Sequence, residues 1–131
     1  MARVLIIDDD DAVRQAIRIA LERLGHESVA ASGAVEGIER AEAGTFALAL
    51  VDMYMPNVNG LEAIKVIGRL RPRVPIIAMS GGSIQTSAED FAVLAVSMGA
   101  HSFLPKPFTL SEISSAITKA LAANSPSAVP S

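Results

Sequence analysis

Five polar residues far apart in the chain could do chemistry together: Asp8 and Asp9, Asp52, Ser80 and Lys106. Three are carboxylates with no thiol or imidazole nearby in sequence. That all-oxygen set suits a hard cation that keeps several waters, above all Mg2+. The first pair belongs to a run of four aspartates, VLIIDDDDAV, at the end of an apolar stretch. Two carboxylates about 4 Å apart repel by roughly 4 kcal/mol at an effective dielectric of 20, so the run needs compensation. A cation bound by Asp8, Asp9 and Asp52 would supply it. Asp10 and Asp11 read differently: a helical period begins there, and an N-cap acceptor followed by a first-turn acid accounts for both.

Stepping along the chain, short apolar runs alternate with longer segments of helical period, the pattern of a parallel sheet covered on both faces. The runs fall at 4–7, 28–31, 46–51, 75–79 and 101–104. Between them, Val13, Ile17, Ala20, Leu21 and Leu24 recur three and four apart and stop at Gly25, as at a helix C-terminus. Further helices are expected at 34–43, 61–70, 88–98 and 110–123. A run such as FALALV lacks the alternation of a half-exposed strand and implies burial on both faces. The order is (βα)5, an α/β fold, and right-handed crossovers favour a doubly wound, flavodoxin-like sheet of order 2-1-3-4-5. In such a sheet the ligand site lies beyond the carboxyl ends of the strands. Asp8, Asp9, Asp52, Ser80 and Lys106 all follow strand ends, so the topology gathers them on one rim. Gly60 reads as a tight turn or a close backbone approach.

The 131 residues fit one domain, and with half of them hydrophobic they can pack a core. We expect the domain to span 1–123, with the Ser/Pro/Ala-rich stretch 124–131 as a flexible tail. A net charge of −3 with scattered basic residues argues against direct nucleic-acid binding. With no cysteine there are no disulfides or thiolate sites, and His26 and His101, well separated, read as structural. No run approaches the eighteen or so apolar residues that span a bilayer, so a cytoplasmic protein with no membrane role is expected.

The ordered set IIDDDD, VDMYMPNVNGLE, AMSG and FLPKPF resembles the receiver domain of two-component response regulators, from Val4 to about Leu121. The resemblance implies that Asp52 accepts a phosphoryl group from a phosphohistidine, on a histidine kinase or histidine phosphotransfer protein, or from a small phosphodonor. Mg2+ would be held by Asp9, Asp52 and the main-chain carbonyl of Tyr54, with Asp8 acting through water. Lys106 would pair with Asp52 before modification and with a phosphoryl oxygen after it, in a loop stiffened by a cis bond to Pro107. The Ser80 hydroxyl would move toward the phosphoryl group, and Phe103 would turn into the space it leaves. The surface of helix 88–98, strand 101–104 and helix 110–123 would then bind a downstream protein partner. Gly81 leaves the phosphoryl group a path, and Tyr54 and Gly82 occupy the positions that influence hydrolysis of the acyl phosphate. The domain is expected to be a monomer or a weak phosphorylation-dependent dimer. It would be no enzyme beyond self-phosphorylation from a donor and slow autodephosphorylation.

From Ser80 to Phe103 the chain is about one helical turn longer than is usual in that family, with Thr86 and Glu89 forming a capping-box pattern. A stand-alone receiver is the expected reading, with a receiver fragment of a larger regulator or hybrid kinase as the alternative. Two further readings compete. Asp9, Asp11 and Val13 also fit the nucleophile motif of haloacid-dehalogenase-type phosphatases, with Asp9 as nucleophile. A pseudo-receiver would bind partners without ever carrying phosphate.

Overall fold

The computed structural model describes residues 1–53, 60–81 and 88–123, without the side chains of 88–91. Expectations for Tyr54, Gly82, the Thr86–Glu89 capping box and the tail 124–131 lie outside the described residues. Five strands, β1 (Arg3–Ile7), β2 (Glu27–Ala31), β3 (Leu48–Asp52), β4 (Ile76–Ser80) and β5 (Ser102–Pro105), alternate with five helices. These are α1 (Asp11–Arg23), α2 (Ala34–Ala43), α3 (Gly60–Gly68), α4 (Ala88–Ser97) and α5 (Leu110–Ala123). The sheet is parallel throughout and ordered β2-β1-β3-β4-β5, as the alternation of apolar runs and helical periods predicts.

Because side chains alternate across a strand, the sheet sorts its residues into two cores. Leu5, Ile7, Ala49, Val51, Ile76 and Ala78 face the side covered by α2, α3 and α4. Val4, Ile6, Leu48, Leu50, Ile77 and Met79 face the side covered by α1 and α5, through Ile17, Leu21, Ile113 and Ile117. Strands β3 and β4 are buried at every residue. Of β5 only Leu104 is fully buried.

Several boundaries differ from the periodicity for identifiable reasons. The third strand begins two residues later than expected: the Ala47 N–H still donates to the Arg3 carbonyl at 2.8 Å, but ladder pairing starts at Leu48. It also takes in Asp52, whose register partner is Met79. The fourth begins at Ile76, since Pro75 has no N–H to give a ladder. Helix α3 ends at Gly68 rather than 70, its last carbonyls closed by turn bonds from Arg69 and Leu70 to Val66 and Ile67.

Two of the loops leading to the site are pinned by helix caps. Asp10 is the N-cap of α1, its Oδ1 accepting from the N–H groups of Ala12 at 2.8 Å and Val13 at 3.4 Å. At α5 a reciprocal capping box joins Thr109 and Glu112 at 2.9 and 3.0 Å. Helices α1 and α4 each hand over to a glycine of positive φ, Gly25 (83°) and Gly99 (111°), a conformation other residues adopt only at a cost.

His26 is structural, as its sequence setting suggests. Its Nδ1 accepts the Ala2 N–H at 3.0 Å, tying the chain start to the head of β2. Burial, then the N-terminal charge, lowers its pKa below the ordinary 6.5. Folding therefore favours the neutral ring, and this stability is complete above the unfolded value and lost as pH falls through and below it. The chemical-denaturation midpoint should fall less between pH 7.5 and 5.5 in His26→Gln than in the wild type. An identical fall in both would show that His26 does not couple folding to protons.

Candidate functional site

Every strand-end residue singled out above arrives at the C-terminal rim of the sheet. Asp8 directly follows β1, Asp52 and Ser80 are the last residues of β3 and β4, and Lys106 follows β5. Asp8, Asp52 and Ser80 are buried, 0, 4 and 2 % exposed. Asp9 is exposed. One carboxylate oxygen from each of Asp8, Asp9 and Asp52 lies within 4.8 Å of the others, a spacing that a single small cation bridges.

Asp8 is the most constrained of the three. Its backbone N–H donates to the Ala31 carbonyl at 3.1 Å, extending the β1–β2 ladder by one bond. Its Oδ1 accepts the Asp10 N–H at 3.0 Å, and its Oδ2 accepts Lys106 Nζ at 2.7 Å. The closest partner of Lys106 is therefore Asp8, with Asp52 Oδ2 at 3.5 Å. The expected pairing of Lys106 with Asp52 is present, and a shorter bond to Asp8 accompanies it. A fully buried carboxylate must be paired, and the Asx turn through Oδ1 aims Oδ2 at the ammonium. With both oxygens engaged, Asp8 reaches a cation most easily through water.

Lys106 is anchored at both ends. Its backbone N–H donates to the Ser80 carbonyl at 2.8 Å, tying the tip of β4 to the β5–α5 loop. The bond to Pro107 is cis, as the resemblance implies. Burial alone would lower its pKa, but the hydrogen bond to Asp8 and the charges of Asp52 and Asp8 outweigh it, leaving the pKa above 10.5. Lys106 thus stays charged at physiological pH, and the stability it lends is lost only as pH rises past its unfolded value.

The glycines divide. A Cβ on Gly60 would sit 1.8 Å from the Asp52 carbonyl oxygen and 2.8 Å from Met53 Cα, so the close approach read from the sequence is real. Gly81 is exposed, with open space where a Cβ would go, consistent with an unobstructed approach to the rim. Phe103 is half-buried on β5 beside Ala78 and packs on the α2–α4 side.

Asp11 is not part of the site. Its side chain is 95 % exposed and pairs with Arg14, so the two-aspartate arrangement of a haloacid-dehalogenase-type phosphatase is not assembled. Two features went unread in the sequence. The Thr109–Glu112 box has the same S/T-x-x-E signature that was noticed at Thr86. Arg14, which bonds the Asp8 carbonyl, has no signal beyond its place in the first turn after an acidic run.

A doubly wound parallel sheet thus gathers three carboxylates, a hydroxyl and a lysine on its C-terminal rim, the arrangement of an α/β domain of the receiver class. The chain belongs to the response regulator receiver domain family, whose model matches residues 4–118. It is similar to the DNA-binding transcriptional regulator NtrC of Azospirillum brasilense, 41% identical over 97% of this chain and 26% of that protein. RegA of Cereibacter sphaeroides, a photosynthetic apparatus regulatory protein, is 34% identical over 87% of this chain and 60% of that one. Among solved structures, a CheY-like receiver domain protein from Methanospirillum hungatei JF-1 superposes with a TM-score of 0.84 at 31% identity, covering 95% and 96% of the two chains. The chain spans about a quarter of the NtrC relatives it matches, 26%, 24% and 24% for the first three. It is a receiver domain of two-component response regulators, and no helix among the described residues is long and apolar enough to cross a membrane.

Proposed function

We propose that this receiver takes a phosphoryl group onto Asp52 from a phosphohistidine of a kinase or phosphotransfer protein, in the cytoplasm, and signals by binding a partner. The convergence of Asp8, Asp9 and Asp52 within 4.8 Å around one lysine carries this reading. In the transfer, the phosphorus–nitrogen bond of the donor breaks as a bond forms between phosphorus and an Asp52 carboxylate oxygen, giving an acyl phosphate. Mg2+ bound by Asp9, Asp52, the Tyr54 carbonyl and, through water, Asp8 would offset the charge of the phosphoryl oxygens.

Lys106 swings its ammonium from the Asp8 and Asp52 carboxylates to a phosphoryl oxygen, a displacement its 3.5 Å approach to Asp52 makes short. The modified side chain carries roughly −1.5 to −2 charge, and the Ser80 hydroxyl, buried beside it, turns to donate to it. Phe103 repacks in response. Tyr54 and Gly82 tune the loss of phosphate to water. The domain's own chemistry ends with self-phosphorylation and slow hydrolysis.

Helix α4 supports a readout surface: Val93 and Val96 are 71 and 57 % exposed, apolar where a solvated helix would be charged. Donor docking is supported on the other side. A groove lined by Val13, Ala16, Pro107 and Phe108, with Lys106 at its rim, leads to the site, and Ile19 and Leu110 extend its apolar surface.

Incubation with Mg2+ and a small acyl phosphate donor, followed by borohydride trapping and peptide mapping, should place one label per chain at Asp52. Label at Asp9 instead would favour the phosphatase chemistry. An unlabelled protein with unchanged spectra would make it a pseudo-receiver.

A further inference from the structure

We infer that Arg14 is a positioning residue for the cation site, holding the peptide unit from which Asp9 projects. The inference rests on the Mg2+ reading above. Arg14 lies in the first turn of α1, its N–H donating to the Asp10 carbonyl at 3.0 Å, on a helix anchored in the core by Ile17 and Leu21. Its guanidinium, 19 % exposed, forks: Nη1 donates to the Asp8 main-chain oxygen at 2.6 Å and Nη2 to Asp11 Oδ1. The Asp8 oxygen belongs to the planar unit that includes the Asp9 nitrogen, so fixing that oxygen fixes the plane from which the Asp9 Cα departs. Asp9 needs this help. Asp8 and Asp52 are held by burial and by Lys106, whereas the exposed Asp9 carboxylate makes no hydrogen bond or ion pair among the described residues. Only its backbone places it within 4.8 Å of the other two carboxylates.

Two effects of Arg14 have opposite signs. As a positive charge beside a site for a divalent cation it weakens cation binding, so its removal would tighten Mg2+ if charge were all it contributed. As an outer-shell support its removal loosens Mg2+, by on the order of tenfold. Lysine keeps the charge but cannot bridge both partners, because the planar fork is lost.

Titration calorimetry of the full chain with MgCl2 decides between them, on protein shown to be folded by circular dichroism. The expected result is a Mg2+ Kd raised about tenfold in Arg14→Lys, which keeps the repelling charge, and raised by less in Arg14→Met. Phosphorylation by the small donor should then need correspondingly more Mg2+ for half-maximal rate while reaching the wild-type plateau, a split that a general loosening of the fold would not give. An unchanged or lower Kd in Arg14→Met, or a lost plateau at the wild-type Mg2+ midpoint, overturns the inference. Wild-type protein that binds no Mg2+ overturns the cation site itself, a result distinguishable from wild-type binding with indifferent variants.

Discussion

Asp52→Ala should form no acyl phosphate with any donor, yet unfold no more easily than the wild type in Mg2+-free buffer. Three carboxylates share this rim with one close ammonium, at 2.7 Å from Asp8 and 3.5 Å from Asp52. Each pair repels by an amount on the order of a few kcal/mol at an effective dielectric of 20, so removing Asp52 relieves more than it forfeits. Its burial costs little, since the side chain lost is polar and the strand backbone that carries it keeps its register with Met79. The variant should also lose stabilisation by Mg2+. At ten times Kd a ligand adds about 1.4 kcal/mol to a folded protein, and the wild type alone should show it. Thermal unfolding with and without Mg2+, beside the trapping assay, reads both effects. Acyl phosphate formed at wild-type rate in Asp52→Ala would refute the assignment.

A single methyl group at Gly60 is expected to be the most damaging small change outside the core. The Cβ of Gly60→Ala would lie 1.8 Å from a backbone oxygen and 2.8 Å from a backbone carbon, and neither can rotate aside as a side chain would. Overpacking against backbone costs about 1–3 kcal/mol and sometimes more, which in a domain of this size lowers Tm by roughly 10 °C. The crowded carbonyl group belongs to Asp52, the proposed phosphoacceptor, so the rate of phosphorylation should fall with stability. Gly37→Ala gives the contrasting case of crowding against a side chain, since its Cβ would meet Cδ1 and Cγ1 of buried Ile7 rather than backbone. A Gly60→Ala protein that melts within a degree of the wild type and accepts phosphate normally would contradict the close approach.

The strands and the rim were legible because both depend on short-range pattern plus one topological rule. Near-continuous apolar runs could only be buried strands, and a parallel sheet places all its C-termini on one edge. Asp52 was recognisable as a rim residue although it proved to be the final paired residue of β3, a shift of one position that leaves its side chain where it was needed. The pairing of Lys106 with Asp52 was anticipated, but its shorter bond to Asp8 was not legible. Whether its ammonium settles on Asp8 or Asp52 depends on which oxygen the Asp10 N–H leaves available, a matter of ångströms that no spacing encodes. Arg14 was invisible for the same reason: on sequence it is one more arginine on an amphipathic helix, and its grip on a main-chain carbonyl exists only in three dimensions. The box at Thr109 was different, since its pattern was there to be read.

The uneven burial of the sheet has a mechanical side. Its middle strands are jammed between two closed layers of side chains, so a new charge at the rim finds no slack beneath it. Slack exists at the margins, where β2 presents exposed Glu27 and Ala30 and β5 presents half-buried Ser102 and Phe103 and exposed Pro105. Strain introduced at the tip of β3 therefore relaxes more readily sideways, across β4 toward β5 or across β1 toward β2, than down into the core. The route a signal takes through this domain is then set by stiffness as much as by chemistry, and a substitution that tightened the β5 margin would mute the output while leaving the charge in place.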